Sequence, residues 1–205
     1  MAEAPVRVDV WSDFVCPWCF LASTSLEKLE AEHKVELIWH SYELRPKGSP
    51  PMPEYYRQRI EAGRPQFEAM ALERYGVQLT QGPFGTDSRA AHIGAKYAEE
   101  QGVGKAYRDA MFRAYWQDAR VIDQQDVLLD VAESVGLERA AFTEALETPA
   151  YLHLVLADIT QAQALGLQGV PAMIFAGKYL VSGAQPYEVL SKVVDDVGAR
   201  LASSV

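Results

Sequence analysis

The amino-acid sequence predicts an α/β fold that an all-helical domain interrupts. Alternating apolar residues near the start have the period of a strand and lead into a helical pattern. The middle of the chain shows helical periodicity, and strand-like patterns return after residue 171. We therefore expect residues 1–47 and 151–205 to form one α/β domain and residues 48–150 to form the helical insertion.

The first segment has the pattern of a β-α-β unit. Val6, Val8 and Val10 alternate with charged residues, as in a strand with one buried face. Pro17 suits the first turn of the following helix, because the N–H group that proline lacks has no helical partner there. A second strand is predicted at 35–41, and the usual handedness of such units favours a parallel pair.

The middle segment follows a proline-rich loop at 45–51, which neither a helix nor a central strand can include. Beyond this loop, helical faces extend to residue 148 and we find no convincing strand. One such face and its continuation include Tyr107, Met111, Tyr115 and Trp116. These residues either form core or line a substrate groove, and aromatic stripes at helical spacing form core more often.

The last segment is predicted to be α-β-β-α. Strands are expected at 172–175 and 179–182, and the three residues between them form a tight hairpin connection. An amphipathic helix follows Pro186. The first and last segments together therefore supply four strands.

The composition bounds the kinds of function. The chain has 205 residues, 49% of them hydrophobic, which is enough to bury a sizeable core. The net charge of −9 and the scattered basic residues argue against a nucleic-acid partner, since phosphate binding needs clustered lysine and arginine. No apolar run approaches the ~18 residues of a membrane span, and the first residues lack signal-peptide features. We expect neither membrane insertion nor export.

The chain has two cysteines, and both lie in the motif Cys16-Pro17-Trp18-Cys19 after the first predicted strand. A disulfide that closes so short a loop removes little chain entropy, so reactivity explains this pair better than stability does. A CxxC motif is also half of a zinc site, but a third cysteine is missing and the four histidines lack ligand spacing. The sequence therefore predicts a redox site of the thioredoxin-like type and no metal.

The predicted helix start at this motif gives the two thiols different roles. Free N–H groups and the helix dipole at the N-terminus favour the Cys16 thiolate. We expect Cys16 to be the accessible nucleophile and Cys19 to be the shielded thiol that resolves the mixed disulfide. Pro17 and Trp18 carry no charge, and Trp18 adds an apolar surface beside the sulfur. Apart from the Cys16–Cys19 disulfide, this chemistry needs no tightly bound cofactor.

A second signal is the sequence Gly169-Val170-Pro171, directly before a predicted strand. An isolated X–Pro bond is cis in only about 5–6% of cases, and Pro171 alone would simply open an edge strand. Together with the CxxC motif, however, it predicts a cis Val170–Pro171 bond that lies against Cys16. The backbone of Val170 would then be free to pair with an extended substrate.

Two further polar residues are open to more than one interpretation. Asp13 either tunes the charge at Cys16 or closes the turn after the strand, and turn formation is the commoner role. His40, on the second predicted strand, is interpreted as a packed or surface histidine rather than as a proton carrier.

Three stretches, at 8–19, 169–172 and 181–186, together resemble the DsbA-family oxidoreductases of the FrnE-like group. The resemblance implies a thioredoxin domain split by a helical insertion, with nucleophile Cys16, resolving Cys19 and a cis Pro171 facing them. It also implies a cytoplasmic location. Within the first stretch, we count Asp13 and Phe14 among the active-site or substrate-binding residues. Ala172 and Met173 stand where such proteins often have aromatic residues, so we do not transfer a substrate preference.

Two alternative functions stay open. A kappa-type glutathione transferase or a glutathione-dependent hydroxychromene-carboxylate isomerase shares the split architecture but does not need Cys19. A noncatalytic, chaperone-like module would bind polypeptides without either sulfur. The expected partners are protein thiols and disulfides or glutathione, and the sequence leaves open the direction of exchange and whether the chain forms a homodimer.

Overall fold

A four-stranded mixed sheet forms the centre of the α/β part of the molecule. The computed structural model describes residues 5–46 and 48–203. In chain order, the elements are β1 (Val6–Ser12), α1 (Pro17–Glu32), β2 (Val35–Ser41), α2 (Glu54–Tyr75), α3 (Arg89–Glu100), α4 (Gly104–Trp116), α5 (Gln125–Ser134), α6 (Arg139–Glu147), α7 (Pro149–Ala164), β3 (Ala172–Phe175), β4 (Tyr179–Ser182) and α8 (Tyr187–Ala202). None of these helices is both long enough and apolar enough to cross a bilayer.

The strand order is β2-β1-β3-β4. Strand β1 runs parallel to β2, with Val8 opposite Leu37, and antiparallel to β3, with Val8 also opposite Phe175. Strands β3 and β4 form the predicted hairpin, and Gly177 in its turn has a φ of 67°, a conformation that glycine adopts without steric cost. The predicted α/β fold with a helical insertion is therefore confirmed.

Side chains of β1 point alternately to the two faces of the sheet. Val8 and Val10 lie in one core cluster with apolar residues of α1 and α8. Trp11 points the other way, into a cluster that includes Ala162 of α7. The two faces of the central strand are thus both covered, by different helices.

The helices between β2 and α7 have a core of their own, which α1 joins to the sheet. Phe20 and Leu21, in the first half of α1, pack in the cluster of α3, α4, α5 and α6, whereas Leu26 and Leu29 pack on the sheet. Tyr107 and Met111 are fully buried in the helical core. The N-terminus of α1, where the CxxC motif lies, therefore sits where the two cores meet.

Two features of the insertion matter for the site. Only Ala71 is buried among the residues of α2, so this helix exposes most of its surface and packs on the helical core through its C-terminal half. The boundary that we placed after residue 150 falls in the first turn of α7, a helix that contacts both α3 and β2.

Candidate active site

Cys16 is the N-cap residue of α1, with extended backbone angles (φ −94°, ψ 116°), and Pro17 is the first helical residue. The N–H of Cys16 donates to the carbonyl oxygen of Asp13 (3.1 Å), and this hydrogen bond closes a tight turn after β1. Its own carbonyl oxygen accepts from the N–H groups of Cys19 (3.1 Å) and Phe20 (3.2 Å). This start places the sulfur beside the free N–H groups of the first turn, where negative charge is stabilised.

The second motif meets Cys16 directly. The Val170–Pro171 peptide bond is cis. Cys16 Sγ donates a hydrogen bond to the carbonyl oxygen of Val170 (3.5 Å), which is 154 residues further along the chain. The carbonyl oxygen of Pro171 accepts from the N–H of Gly183 (2.8 Å), so the end of β4 holds this segment in place.

The two thiols are reduced and lie in different surroundings. Both residues are buried, with 3% of Cys16 and 1% of Cys19 exposed, so Cys16 is less accessible than the sequence led us to expect. The difference is that Cys16 lines a surface cleft. Burial raises the pKa of Cys19, and the hydrogen bond and charge of Cys16 raise it further, while the Asp13 N–H and the Ser12 hydroxyl act in the opposite direction.

The cleft beside Cys16 has a volume of about 560 Å³. It lies between the active-site turn, the loop after β2, helix α2 and the end of α4. Trp18 is 43% exposed, and its ring meets Phe67 of α2 edge-on, with centroids 4.9 Å apart. Tyr115 and Trp116 also line the cleft. The aromatic stripe of α4 therefore packs in the core at Tyr107 and Met111 and reaches the cleft at its C-terminal end.

Comparison with known protein families identifies the family to which this fold and site belong. The family model of the DSBA-like thioredoxin domain matches residues 7–195. The chain belongs to this family. DsbA-type proteins are thiol–disulfide oxidoreductases that act on protein thiols and disulfides. The family resemblance inferred from the motifs is thereby confirmed, and the narrower FrnE-like group stays a prediction.

Individual relatives cover most of this DsbA-like chain. YwbO of Bacillus subtilis, an uncharacterized protein, is 31% identical over 93% of this chain and 96% of its own length. The 2-hydroxychromene-2-carboxylate isomerase of Pseudomonas putida is 26% identical over 70% of this chain and 72% of its own length. The crystal structure of a probable DsbA oxidoreductase from Streptomyces coelicolor is 29% identical, with a TM-score of 0.81 over 93% of this chain and 89% of that one.

Asp13 holds the active-site turn of this DsbA-like chain. It is fully buried, and its Oδ1 accepts from the N–H of Val15 (3.3 Å) while its Oδ2 accepts from the N–H of Leu44 (2.7 Å). Nε2 of His92 lies 3.5 Å from Oδ1. The structure therefore gives Asp13 the turn-closing role, and it also ties the loop after β2 to the turn that carries Cys16.

Phe14 anchors the same turn by packing rather than by lining the cleft. Its ring is buried against His92 and Phe112, with centroid distances of 4.8 and 5.2 Å. Its carbonyl oxygen accepts from the indole N–H of Trp116 (2.8 Å). The grouping of Phe14 with the substrate-contacting residues is thus not reproduced, because its side chain faces α3 and α4.

Sequence reasoning missed the wall that α2 contributes to the cleft. Its lining side chains include Tyr56, Arg59, Ile60, Arg64 and Phe67. It also missed the clamp below the loop after β2, where the buried carboxylate of Glu43 accepts two hydrogen bonds from Arg89, both at 2.7 Å. Glu43 could have been found as a carboxylate two residues after the strand predicted at 35–41. The residues of α2 that line the cleft form no motif.

A second polar cluster lies on the sheet face that α7 covers. His40 Nε2 is 2.9 Å from Asp9 Oδ1, and its Nδ1 is 2.9 Å from Asp158 Oδ1. Lys96 Nζ is 2.8 Å from Asp158 Oδ2, and the ring of His40 stacks on Trp11 at 4.4 Å. His40 is therefore the packed histidine that the sequence favoured, although its two carboxylate partners were not foreseen. In the described part of the chain, no group of three or more potential ligands is arranged to hold a metal ion.

Proposed function

We propose that this chain exchanges disulfides with polypeptide substrates, with Cys16 as the nucleophile and Cys19 as the resolving thiol. The observation that carries the proposal is the placement of Cys16 Sγ at the start of α1, in the cleft and against the Val170 carbonyl oxygen, with Cys19 buried behind it. A substrate reaches the sulfur of Cys16 by entering the cleft. The buried sulfur of Cys19 is then placed to react with Cys16 and not with the substrate directly.

The exchange proceeds in two displacements. The Cys16 thiolate attacks one sulfur of the substrate disulfide, and the other substrate sulfur leaves as a thiolate that takes up a proton. Cys19 then loses its proton and attacks Cys16 Sγ, which releases the substrate's second thiolate and forms the Cys16–Cys19 disulfide. Two electrons pass from the dithiol to the substrate, and the reverse sequence oxidises a substrate dithiol.

Burial of Cys19 separates these two steps. Because burial raises its pKa, Cys19 stays a thiol while Cys16 attacks, and two adjacent thiolates are avoided. The Val170 carbonyl oxygen also changes partner during the reaction. Once Cys16 is part of a mixed disulfide it has no S–H to donate, so this oxygen is free to accept an N–H from an extended substrate.

The deciding experiment compares Cys19→Ser with Cys16→Ser. Cys19→Ser should retain the first displacement only, so it should accumulate covalent adducts with substrate proteins on nonreducing electrophoresis and lose most insulin reductase turnover. Cys16→Ser should form no adduct and show no turnover. Unchanged insulin reduction by Cys19→Ser without adducts would refute the dithiol mechanism.

The same variants separate the alternatives. The likeness to 2-hydroxychromene-2-carboxylate isomerase makes a glutathione-dependent isomerase the second candidate. It predicts that Cys19→Ser keeps isomerising or conjugating activity and traps nothing. A chaperone-like module predicts holdase activity in a Cys16→Ala, Cys19→Ala double variant. Use of glutathione as co-substrate, a cytoplasmic location and a homodimer stay predictions, to be tested by turnover with glutathione, cell fractionation and sedimentation.

A further inference from the structure

Two arginines of α2, Arg59 and Arg64, line the cleft without a carboxylate partner. Neither forms an ion pair with any residue that the structure describes. This is unexpected in a chain with 28 acidic and 19 basic residues. Arg57, on the same helix, pairs with Glu54 at 2.7 Å. The cleft therefore concentrates free positive charge in a molecule whose net charge is negative.

The surroundings of these guanidinium groups favour an anion. Nε of Arg64 is buried without a hydrogen-bond partner, and the guanidinium group lies 5.7 Å from the centroid of the Phe84 ring. A cation that has lost part of its hydration gains more from a carboxylate than a fully hydrated cation does. Arg45 lines the same cleft and donates to the carbonyl oxygen of Pro50, and Glu68 is the acidic residue of the lining. The lining thus carries three guanidinium groups and one carboxylate.

The rest of the lining is mostly apolar and partly exposed. Trp18 and Tyr56 are 43% and 48% exposed, and Ile60, Phe67 and Phe84 continue the same surface. Apolar side chains of a substrate would cover this surface and remove it from water. A small hydrophilic disulfide such as oxidised glutathione has carboxylates but no apolar side chain, so it matches only half of the cleft.

We propose that the cleft selects acidic polypeptide segments, whose carboxylates bind Arg59 and Arg64 while neighbouring apolar side chains pack on Trp18 and Phe67. This inference rests on the proposed function, since Cys16 must react with the disulfide of the bound segment. The overall negative charge of the chain opposes an acidic partner only weakly at this point, because charges more than ~8 Å away are screened at physiological ionic strength.

The test uses two short peptides that differ only in Glu or Gln beside one cysteine, with leucines at the other flanking positions. The cysteine is blocked as a thiopyridyl mixed disulfide, and the reduced protein is in excess. Attack of Cys16 on the peptide sulfur releases thiopyridone, which is followed by its absorbance. Cys19 then releases the peptide thiol as the protein disulfide forms.

The Glu peptide should react faster than the Gln peptide by roughly tenfold at low salt, which is what two partly exposed charge pairs contribute together. The advantage should shrink as salt is added, because screening weakens such pairs. It should largely disappear in an Arg59→Gln, Arg64→Gln double variant. Arg57→Gln is the control, since it removes one positive charge from the same helix outside this cleft and should keep the advantage.

Three outcomes would overturn the inference. They are equal rates for the two peptides with the wild-type chain, an advantage that survives in the double variant, and a dependence of oxidised glutathione turnover on Arg59 and Arg64 as strong as that of the Glu peptide. The last result would identify a small anionic disulfide as the occupant. If the double variant does not fold, the salt dependence of the wild-type rates decides. Release of thiopyridone by Cys16→Ser would instead refute the proposed function.

Discussion

The His40 cluster, on the sheet face that α7 covers, and the Cys16 cleft, beyond the C-terminal end of β1, differ in how their charges are paired. In the cluster of Asp9, His40, Asp158 and Lys96, each charged group faces an opposite charge at 2.8–2.9 Å. In the cleft, Arg59 has no such partner in the described chain. Charges that form ion pairs with one another act within the folded structure. Charges that are left unpaired beside a nucleophile are available to bind a substrate.

The geometry of the His40 cluster explains its ionisation. Both ring nitrogens face a carboxylate oxygen, so both carry hydrogen when the bonds are complete and the ring is an imidazolium. Burial alone would lower the pKa of His40, but the hydrogen bonds and charges of Asp158 and Asp9 outweigh it and the pKa is raised. Burial alone would raise the pKa of Asp9, but its bonds to Arg7 (2.6 Å) and His40 outweigh this effect and the pKa is lowered. The pKa of Asp158 is lowered in the same way by His40 and Lys96.

The largest expected effect follows from breaking this cluster. His40→Leu removes the hydrogen bonds to Asp9 and Asp158, which then keep only Arg7 and Lys96 as cationic partners. Because hydrogen bonds between charged groups are the stronger kind, the free energy of unfolding should fall by about 3 kcal/mol. Urea denaturation at pH 7 measures it. His153→Leu is the matched control on exposed α7 surface and should change little. The folded fraction of His40→Leu should still exchange disulfides, and a loss below about 1 kcal/mol would mean that the paired charges contribute little to the fold.

A somewhat smaller loss is expected at Asp13, which is buried and shapes the turn that carries Cys16. Asp13→Asn replaces one acceptor oxygen with an NH₂ group that faces the N–H of Val15 or Leu44. The free energy of unfolding should fall by about 2 kcal/mol, and insulin reduction should slow because the Cys16 turn loosens. Asp123→Asn is the control and should cost less, because the Asp123 carboxylate is only half-buried and accepts one backbone hydrogen bond, from the N–H of Asp87 (3.3 Å).

The pH dependence of stability tests the ionisation assigned to the His40 cluster. Since the pKa of His40 is raised on folding, its contribution is complete below about 6.5, the unfolded pKa, and is lost as pH rises through the folded pKa. The lowered pKa values of Asp9 and Asp158 act on the acid side, where stability is lost as pH falls through them. Urea denaturation between pH 6 and 9 should show an alkaline decline that is smaller in His40→Leu. Equal declines in both proteins would contradict a charged His40.

Sequence reasoning reached the parts of this molecule that local patterns encode. The strands at 35–41, 172–175 and 179–182 have the bounds expected from their periodicity, and α1 begins at the expected proline. The CxxC motif revealed the reactive residues because the chemistry needs both sulfurs within one short segment.

Residues that depend on tertiary packing escaped the same reasoning. The partners of His40 come from β1 and α7, which are distant in sequence, and no spacing rule connects them. The residues of α2 that line the cleft could not be recognised from the sequence, because the sequence does not show which face of this helix lies toward Cys16. Even the exposure of Cys16 was misjudged, because the segment that covers it arrives 154 residues later.

The smallest expected effect is the change in the free energy of unfolding when the two arginines of the cleft are replaced. Arg59→Gln, Arg64→Gln removes no ion pair within the described chain, and glutamine is nearly as good a helix former as arginine, so the free energy of unfolding should fall by less than about 1 kcal/mol. Most of this small loss would come from the contact of Arg64 with the Phe84 ring. Arg57→Gln breaks the pair with Glu54, which is fully exposed to solvent, and should therefore also cost little. The two variants should therefore look alike in urea denaturation and differ sharply in peptide selectivity. A double variant that loses 2 kcal/mol or more would show that these guanidinium groups hold the fold together, and the contrast between the two regions would no longer stand.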